Sequence, residues 1–597
     1  MDPRPARLAP IRPFSTRKGV VVALVTCLLA TAAAPPPSPV PAPPNIVILL
    51  ADDWGFTDVG AFGGEMATPN IDALAKTGVR FTNFHVAGSC APTRAMLQTG
   101  VDSHRAGLGN MPETIPPGHR GKPGYETHLK PGVTTIAERL RAAGYRTYLT
   151  GKWHLGHTPD SLPTARGYER AFALSQSGAD NFADKPNLLL YDRADWTEDG
   201  RPARLPTDFY SSRIIIDKMI AYLDGGDRAK PFLASVNFLA NHIPVQAPDA
   251  DLAANRGRYD AGWTTLREQR RRGAIAAGVI PVGTAMVTMR STSDWTSLTP
   301  AERRQRAGAM AAYAAMATAM DREVGRLVAH LKAGSQYNNT VFVFLSDNGG
   351  EATDPMATAL PRANAIALYD QSTARQGRRG SLTAIGAGFA SAVSSPLRGY
   401  KFTASEGGLR VPMIIAWPGN PAVGRGVVAK GFAHVTDLAP TMLALAGLAA
   451  PAVTGHSLVP MLGGGDAGVR GVNEPLGYEL SGNAVLWKDA LKLVRNLPPF
   501  GDGDWHLFDI GADPGETTDL RRSRPAEYAR MQAEYAAWAS AEGVLAMPQG
   551  YAAPRQIQAN ALDDLLWPRL RRWLPWAGGV LALVFGLAWW RERRGCA

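Results

Sequence analysis

Cysteine is almost missing from this 597-residue chain, which holds three: Cys27, Cys90 and Cys596. No disulfide framework can brace such a fold, so it must rest on its own core. Net charge is equally scarce in the body of the chain. The formal balance of +11 comes mostly from the ends, where residues 1–34 carry five Lys/Arg against one Asp and residues 568–597 carry six Arg against one Glu. About +2 remains for everything between, which removes the electrostatic basis for gripping nucleic acid. Composition of 45% hydrophobic and 19% charged residues excludes wholesale disorder. No internal repeat is visible.

Long uncharged runs are confined to the two ends. Arg12, Arg17 and Lys18 precede the stretch from Val20 to Ala34, which closes on small residues and predicts a secretory signal peptide over 1–34. An uncleaved anchor is the alternative. Residues 35–44, PPPSPVPAPP, hold seven prolines and predict a stiff linker. Near the other end, Trp573 to Trp590 is free of charge and bordered by tryptophans, which predicts a transmembrane helix at 573–590. The alternative of a surface-lying helix wants a polar face that this run lacks. Three arginines stand on each side of it, so the signal peptide sets the orientation. The catalytic body is then exported and membrane-anchored, facing the periplasm or exterior. Residues 591–597 form a cytoplasmic tail, and 546–572 a tether. The sequon Asn338 to Thr340 matters only in a glycosylating pathway.

Between the ends, Asn45–Leu50, Tyr145–Thr150, Phe232–Phe238, Val341–Leu345 and Pro412–Ala416 read as buried strands. Thr299, Pro300 and Glu302 predict a capped helix start. Met310, Tyr313, Ala317, Met320, Val324, Leu327 and Leu331 then recur at helical spacing up to Gly334. Strands alternating with helices predict an α/β domain over 45–450 with a parallel or mixed sheet. A smaller α+β subdomain over 451–545 follows, with strands at 490–495 and 506–510 and a helix at 525–542. Stretches 100–130, 248–300 and 351–397 lack periodicity, and the Arg267–Arg272 cluster reads as a solvated face.

Polar pairs follow the strands, where α/β sheets collect their chemistry. Asp52 and Asp53, then Asp347 and Asn348, offer only oxygen, which suits Ca²⁺ or Mg²⁺. Singly each is an ordinary turn residue, but adjacent pairs after separate strands point to a metal site. Lys152 and His154 follow another strand, and Asn241 and His242 a third. Cys90 lies in the run Cys90, Ala91, Pro92, Thr93, Arg94, and an inert buried thiol is its bland reading.

CAPTR followed by AMLQTG resembles the signature of the sulfatase family, within the alkaline-phosphatase-like superfamily. The resemblance spans about 45–545 through NIVILLADDWG, GYRTYLTGKWHLG, FVFLSDNGGE, KFTASEGGLRVP, HVTDLAPTMLALAG and LFDIGADPGETTDL. DREVGRLVAHL and AGWTTLREQR look most like bacterial-type arylsulfatases. It implies a large mixed sheet sandwiched by helices, and conversion of Cys90 to formylglycine before folding by a maturation enzyme. Asp52, Asp53, Asp347, Asn348 and the modified residue 90 would then hold calcium, or magnesium. One hydroxyl of the hydrated aldehyde would attack sulfur while Asp347 takes its proton. Lys401 and His242 would bind the sulfate, and one of them would protonate the departing alcohol or phenol. His154 would deprotonate the second hydroxyl to expel sulfate, with Arg94 and Lys152 orienting residue 90. The implied substrate is a small-molecule sulfate ester, most simply an aryl sulfate. Two other readings stay open: a phosphonate monoester or phosphodiester hydrolase, and an inactive membrane-anchored binding protein.

Overall fold

The structure is a computed structural model that describes residues 43–450 and 452–594, with a few side chains of the last helix left out. The expected signal peptide, linker residues 35–42, Cys27 and Cys596 lie outside the described residues.

NIVILLA forms β1 (Asn45–Ala51), buried at every position. Its continuous apolar run follows from burial on both faces. Val47, Leu49 and Ala51 enter the core on one side of the sheet, and Ile46, Ile48 and Leu50 the core on the other. β1 pairs in parallel with β8 (Phe232–Asn237) and β9 (Thr340–Ser346). β8 continues to β4 (Arg146–Lys152), β5 (Arg170–Leu174), β6 (Trp196–Glu198) and β7 (Arg201–Pro202). Beyond β9 come β10 (Met413–Ala416), β2 (Gly78–Phe81) and β11 (Val427–Ala429). β10 runs antiparallel to both its neighbours and β6 antiparallel to β5, so the ten-stranded sheet is mixed. A short pair, β3 (Phe84–His85) and β12 (Ala433–His434), lies apart.

The Pro300–Ala333 helix starts as expected: Thr299 Oγ1 accepts from Glu302 N, and Glu302 Oε2 accepts from Thr299 N at 2.8 Å. Its stripe from Met310 to Leu331 enters one core. The smaller sheet is antiparallel, β13 (Leu476–Leu480), β14 (Asn483–Lys488), β15 (Leu491–Arg495) and β16 (Trp505–Asp509). Met531 and Tyr535 of the Pro525–Glu542 helix cover it. This is the mixed α/β sheet with a small C-terminal subdomain expected above.

Two expectations need correcting. The Arg267–Arg272 cluster lies in a helix, Gly262–Ala276, and is not wholly solvated. Arg270 is fully buried, ion-paired to Asp58 at 2.5 Å and Glu65 at 2.7 Å. It occupies the buried stripe of Trp263, Leu266 and Ala274, which hides the period from a hydrophobic pattern. At the end of the chain, the Trp567–Arg594 helix takes in 573–590, but among the described residues no helix is long and apolar enough to cross a membrane. Arg569, Arg571 and Arg572 occupy its first turns and Pro575 lies inside it. The membrane span, and with it the cytoplasmic tail, finds no support.

Residues 544–566 lie against the 110–125 loop. Leu545 N donates to Tyr125 Oη at 2.8 Å and Tyr551 Oη to the Thr114 carbonyl at 2.8 Å. Asn560 Nδ2, on the Ala553–Ala561 helix, donates at 3.0 Å to the carbonyls of Glu113 and Ile115.

Candidate active site

The carboxyl ends of β1, β4, β8 and β9 meet at one edge of the sheet, and each delivers polar groups there. Register does much of the placing. Ala51 pairs with Ser346, so Asp52–Asp53 and Asp347–Asn348 leave their strands side by side. Asp53 turns back with φ +63° and its N–H donates to Asp347 Oδ1 at 3.3 Å. Gly151, at the end of β4, has φ +100°. A Cβ there would sit 1.8 Å from the Asn237 carbonyl oxygen, so only glycine lets Lys152 leave the strand at this angle.

Cys90 is the first residue of the Cys90–Thr99 helix and is fully buried. Ligand atoms of Asp52, Asp53, Cys90 and Asp347 lie within 4.8 Å of one another, as do those of Asp52, Cys90 and His242. One turn on, Arg94 donates Nε and Nη2 to Asp347 Oδ2 at 2.9 and 2.7 Å, and Nη1 to the Lys152 carbonyl at 2.8 Å. Lys152 Nζ meets Asp52 Oδ2 at 2.6 Å. Lys401 Nζ meets Asp53 Oδ1 at 2.7 Å and Glu351 Oε2 at 3.0 Å. His242 Nε2 stands 3.9 Å from Asp53 Oδ2, and its Nδ1 lies 2.8 Å from the Ile243 carbonyl. His154, with φ +56°, is held in a separate pair, Nε2 at 3.2 Å from Glu113 Oε1. Tyr191 Oη also donates to Glu113.

Burial sets the electrostatics. It pushes Asp53 up to about 8 against the pull of Lys401. Asp52 is raised by burial and by the neighbouring Asp347 charge. Asp347 is buried as well, yet Arg94, Lys152 and Lys401 hold it below the usual carboxylate range. Burial and the Asp347 and Asp52 charges push the Cys90 thiol well up. Both histidines fall: His242 through burial and Lys401, His154 through burial against the opposing pull of Glu113. Burial thus disfavours the charged forms of Asp52 and Asp53 even beside their lysines. Asn348 adds a buried Oδ1 with no hydrogen-bond partner, while its Nδ2 donates to Asp53 Oδ1 at 2.6 Å. Four oxygen donors, one of them orphaned, fit a hard dication such as Ca²⁺.

The expected residues Asp52, Asp53, Cys90, Arg94, Lys152, His242, Asp347, Asn348 and Lys401 thus form one network, with His154 in the adjoining pair. Glu351, Glu113 and Tyr191 were not anticipated. Glu351 closes the FVFLSDNGGE run, a signal in plain view. Glu113 and Tyr191 stand on aperiodic loops and carry none.

A family model described as Sulfatase matches residues 44–448. The chain belongs to the sulfatase family. An uncharacterised sulfatase of Schizosaccharomyces pombe is 35% identical over 540 residues, 85% of this chain and 96% of its own. The arylsulfatase of Klebsiella aerogenes is 35% identical over 412 residues, 68% of this chain and 87% of its own. Among solved structures, that of Ps i-CgsB is 25% identical with a TM-score of 0.59, over 83% of this chain and 92% of that one. As a member of the sulfatase family the protein is a sulfuric ester hydrolase.

Proposed function

We propose that the protein hydrolyses aryl and related sulfate esters through a formylglycine made from Cys90, with Ca²⁺ at the oxygen cluster. The observation that carries this reading is Cys90, buried at a helix start among three carboxylates and facing His242. Asp52, Asp53, Asp347, Asn348 and residue 90 would hold the ion. When bound, it polarises a sulfate oxygen and lowers the pKa of a neighbouring hydroxyl. Formylglycine supplies that hydroxyl as a geminal diol, whose second hydroxyl lets sulfate leave without a second attack at sulfur.

This chain's own groups do the rest. A sulfate ester carries one negative charge, and Lys401 and His242 offer donors to its oxygens. His242 donates Nδ1–H to the Ile243 carbonyl, so the neutral ring presents a bare Nε2 that must first take up a proton to donate to sulfate or pass it to the departing oxygen. Asp347 stays ionised and is the carboxylate best suited to accept a proton at residue 90. Neutral His154 donates Nε2–H to Glu113, and its bare Nδ1, buried without a hydrogen-bond partner, receives the proton of the second hydroxyl. Arg94 and Lys152 fix Asp347 and Asp52 in place. The apolar run at Val20–Ala34 behind its basic residues supports an exported protein.

Mass measurement of the Cys90 peptide, from protein made beside a formylglycine-generating enzyme, tests the reading together with turnover of matched aryl sulfate, phosphate diester and phosphonate esters. Formylglycine and a preference for the sulfate are expected. An unmodified cysteine in fully active protein, or a preference for phosphorus esters, overturns it.

A further inference from the structure

Beside the charged network lies a cavity of about 280 Å³ that no residue of the proposed chemistry fills. Lys401 and Glu351 stand on its wall, so it is continuous with the sulfate-binding side of the site. Around the rest, Leu188, Leu190, Leu360, Phe402, Phe500 and Ile557 present partly exposed apolar side chains. Such side chains next to a lysine that meets sulfate suit the uncharged half of an ester. They come from five separate regions of the chain, and one wall is the Ala553–Ala561 helix, far outside the 44–448 match.

That helix is seated firmly. Asn560 caps the Glu113 and Ile115 carbonyls, and Arg120 donates to Asn560 Oδ1 at 2.9 Å and Asp564 Oδ2 at 2.7 Å. Glu113 is also the partner of His154. The segment that closes the pocket is therefore clamped to the loop that braces a proposed proton acceptor.

We infer that the Ala553–Ala561 helix is a specificity element of the active site, closing with Ile557 an apolar pocket for the leaving group of the sulfate ester. This rests on the sulfate-ester reading above. The leaving groups it favours are bulky apolar phenols and alcohols. Sugars and short alkanols leave the apolar walls in contact with water or with unpaired hydroxyls.

Affinity separates this inference from the chemistry. The full chain carrying Cys90→Ala cannot turn substrate over, so dissociation constants for 2-naphthyl sulfate and methyl sulfate can be compared directly by calorimetry. The naphthyl ester should bind about tenfold tighter or better. Adding Ile557→Arg should erase most of that ratio. Leu360→Ala, on a different lining segment and gentler on folding, should reduce it about threefold. Equal affinities for the two esters, or a ratio untouched by both substitutions, overturns the inference. In parallel, the matured protein is assayed for turnover of both esters. Turnover without an affinity preference refutes the pocket alone. A preference that Ile557→Arg removes, with no turnover of any sulfate ester, supports the pocket and refutes the reading beneath it.

Discussion

Lys152, Lys401, Arg94 and His242 sit within a few ångströms of three carboxylates, with the His154–Glu113 pair adjoining, and nearly all are withdrawn from water. In such a place each proton's position is set by neighbours. His154 shows this most simply, because burial lowers its pKa and Glu113 pulls it back up. Glu113→Gln removes that pull while preserving shape. Protonation of His154 then moves to lower pH, so the acid limb of the pH–rate profile should shift downward. The rate should fall about 10- to 100-fold through loss of the bracing carboxylate. An acid limb that stays in place would show that His154 is not the titrating group.

Strands and loops differ in how they fix these groups. Gly151, next to last in β4, is pressed against the Asn237 carbonyl of β8 with a positive φ, which leaves no room for a side chain. Gly151→Ala should cost roughly 3 kcal/mol of stability, read by chemical denaturation, and displace Lys152 from Asp52. A loss under about 0.5 kcal/mol would mean the strands part easily. The strand ends were readable from the sequence for a physical reason. Strands buried on both faces leave runs such as NIVILL, and polar residues directly after them mark the edge of the sheet. The Gly262–Ala276 helix was not readable, since Arg270 breaks its apolar stripe. Neither was the role of the Ala553–Ala561 helix, whose seat depends on the backbone carbonyls of Glu113 and Ile115, and carbonyls leave no trace in a sequence. Glu113 itself lies on a loop whose only order comes from what it touches.

Across the whole molecule, the small sheet is tied to the large domain by buried charge. Lys492 bridges Glu406 and Glu516 at 2.8 Å each, and Tyr478 Oη accepts from Gly88 N at 2.7 Å, two residues before Cys90. His104 lies between Asp102 at 3.1 Å and Glu479 of β13 at 3.2 Å. Burial opposes its charge, but hydrogen bonds to both carboxylates overcome that and push it up to about 10. The unfolded imidazole titrates near about 6.5. Its contribution is therefore complete below that pH and is lost as pH rises towards about 10. Unfolding free energy should fall across this window by up to about 1.4 kcal/mol per pH unit, and His104→Gln should flatten the slope. A slope identical in the variant would place the sensitivity elsewhere.

β1 waits for β9, its parallel neighbour, and the separation is long: Asp53 and Asp347 are 294 residues apart, and Lys401 comes later still. On a ribosome this becomes time. At roughly 5–20 residues per second, the interval between the emergence of Cys90 and that of Lys401 lasts roughly 15–60 s. For most of it the segment around residue 90 has no β9 beside it, and until Lys401 emerges the cage of charge is incomplete. Once the sheet closes, the thiol is sealed with no exposed surface. Any enzyme that alters Cys90 therefore works on a growing or newly released chain, and the slowness of the pairing is what leaves it the opportunity.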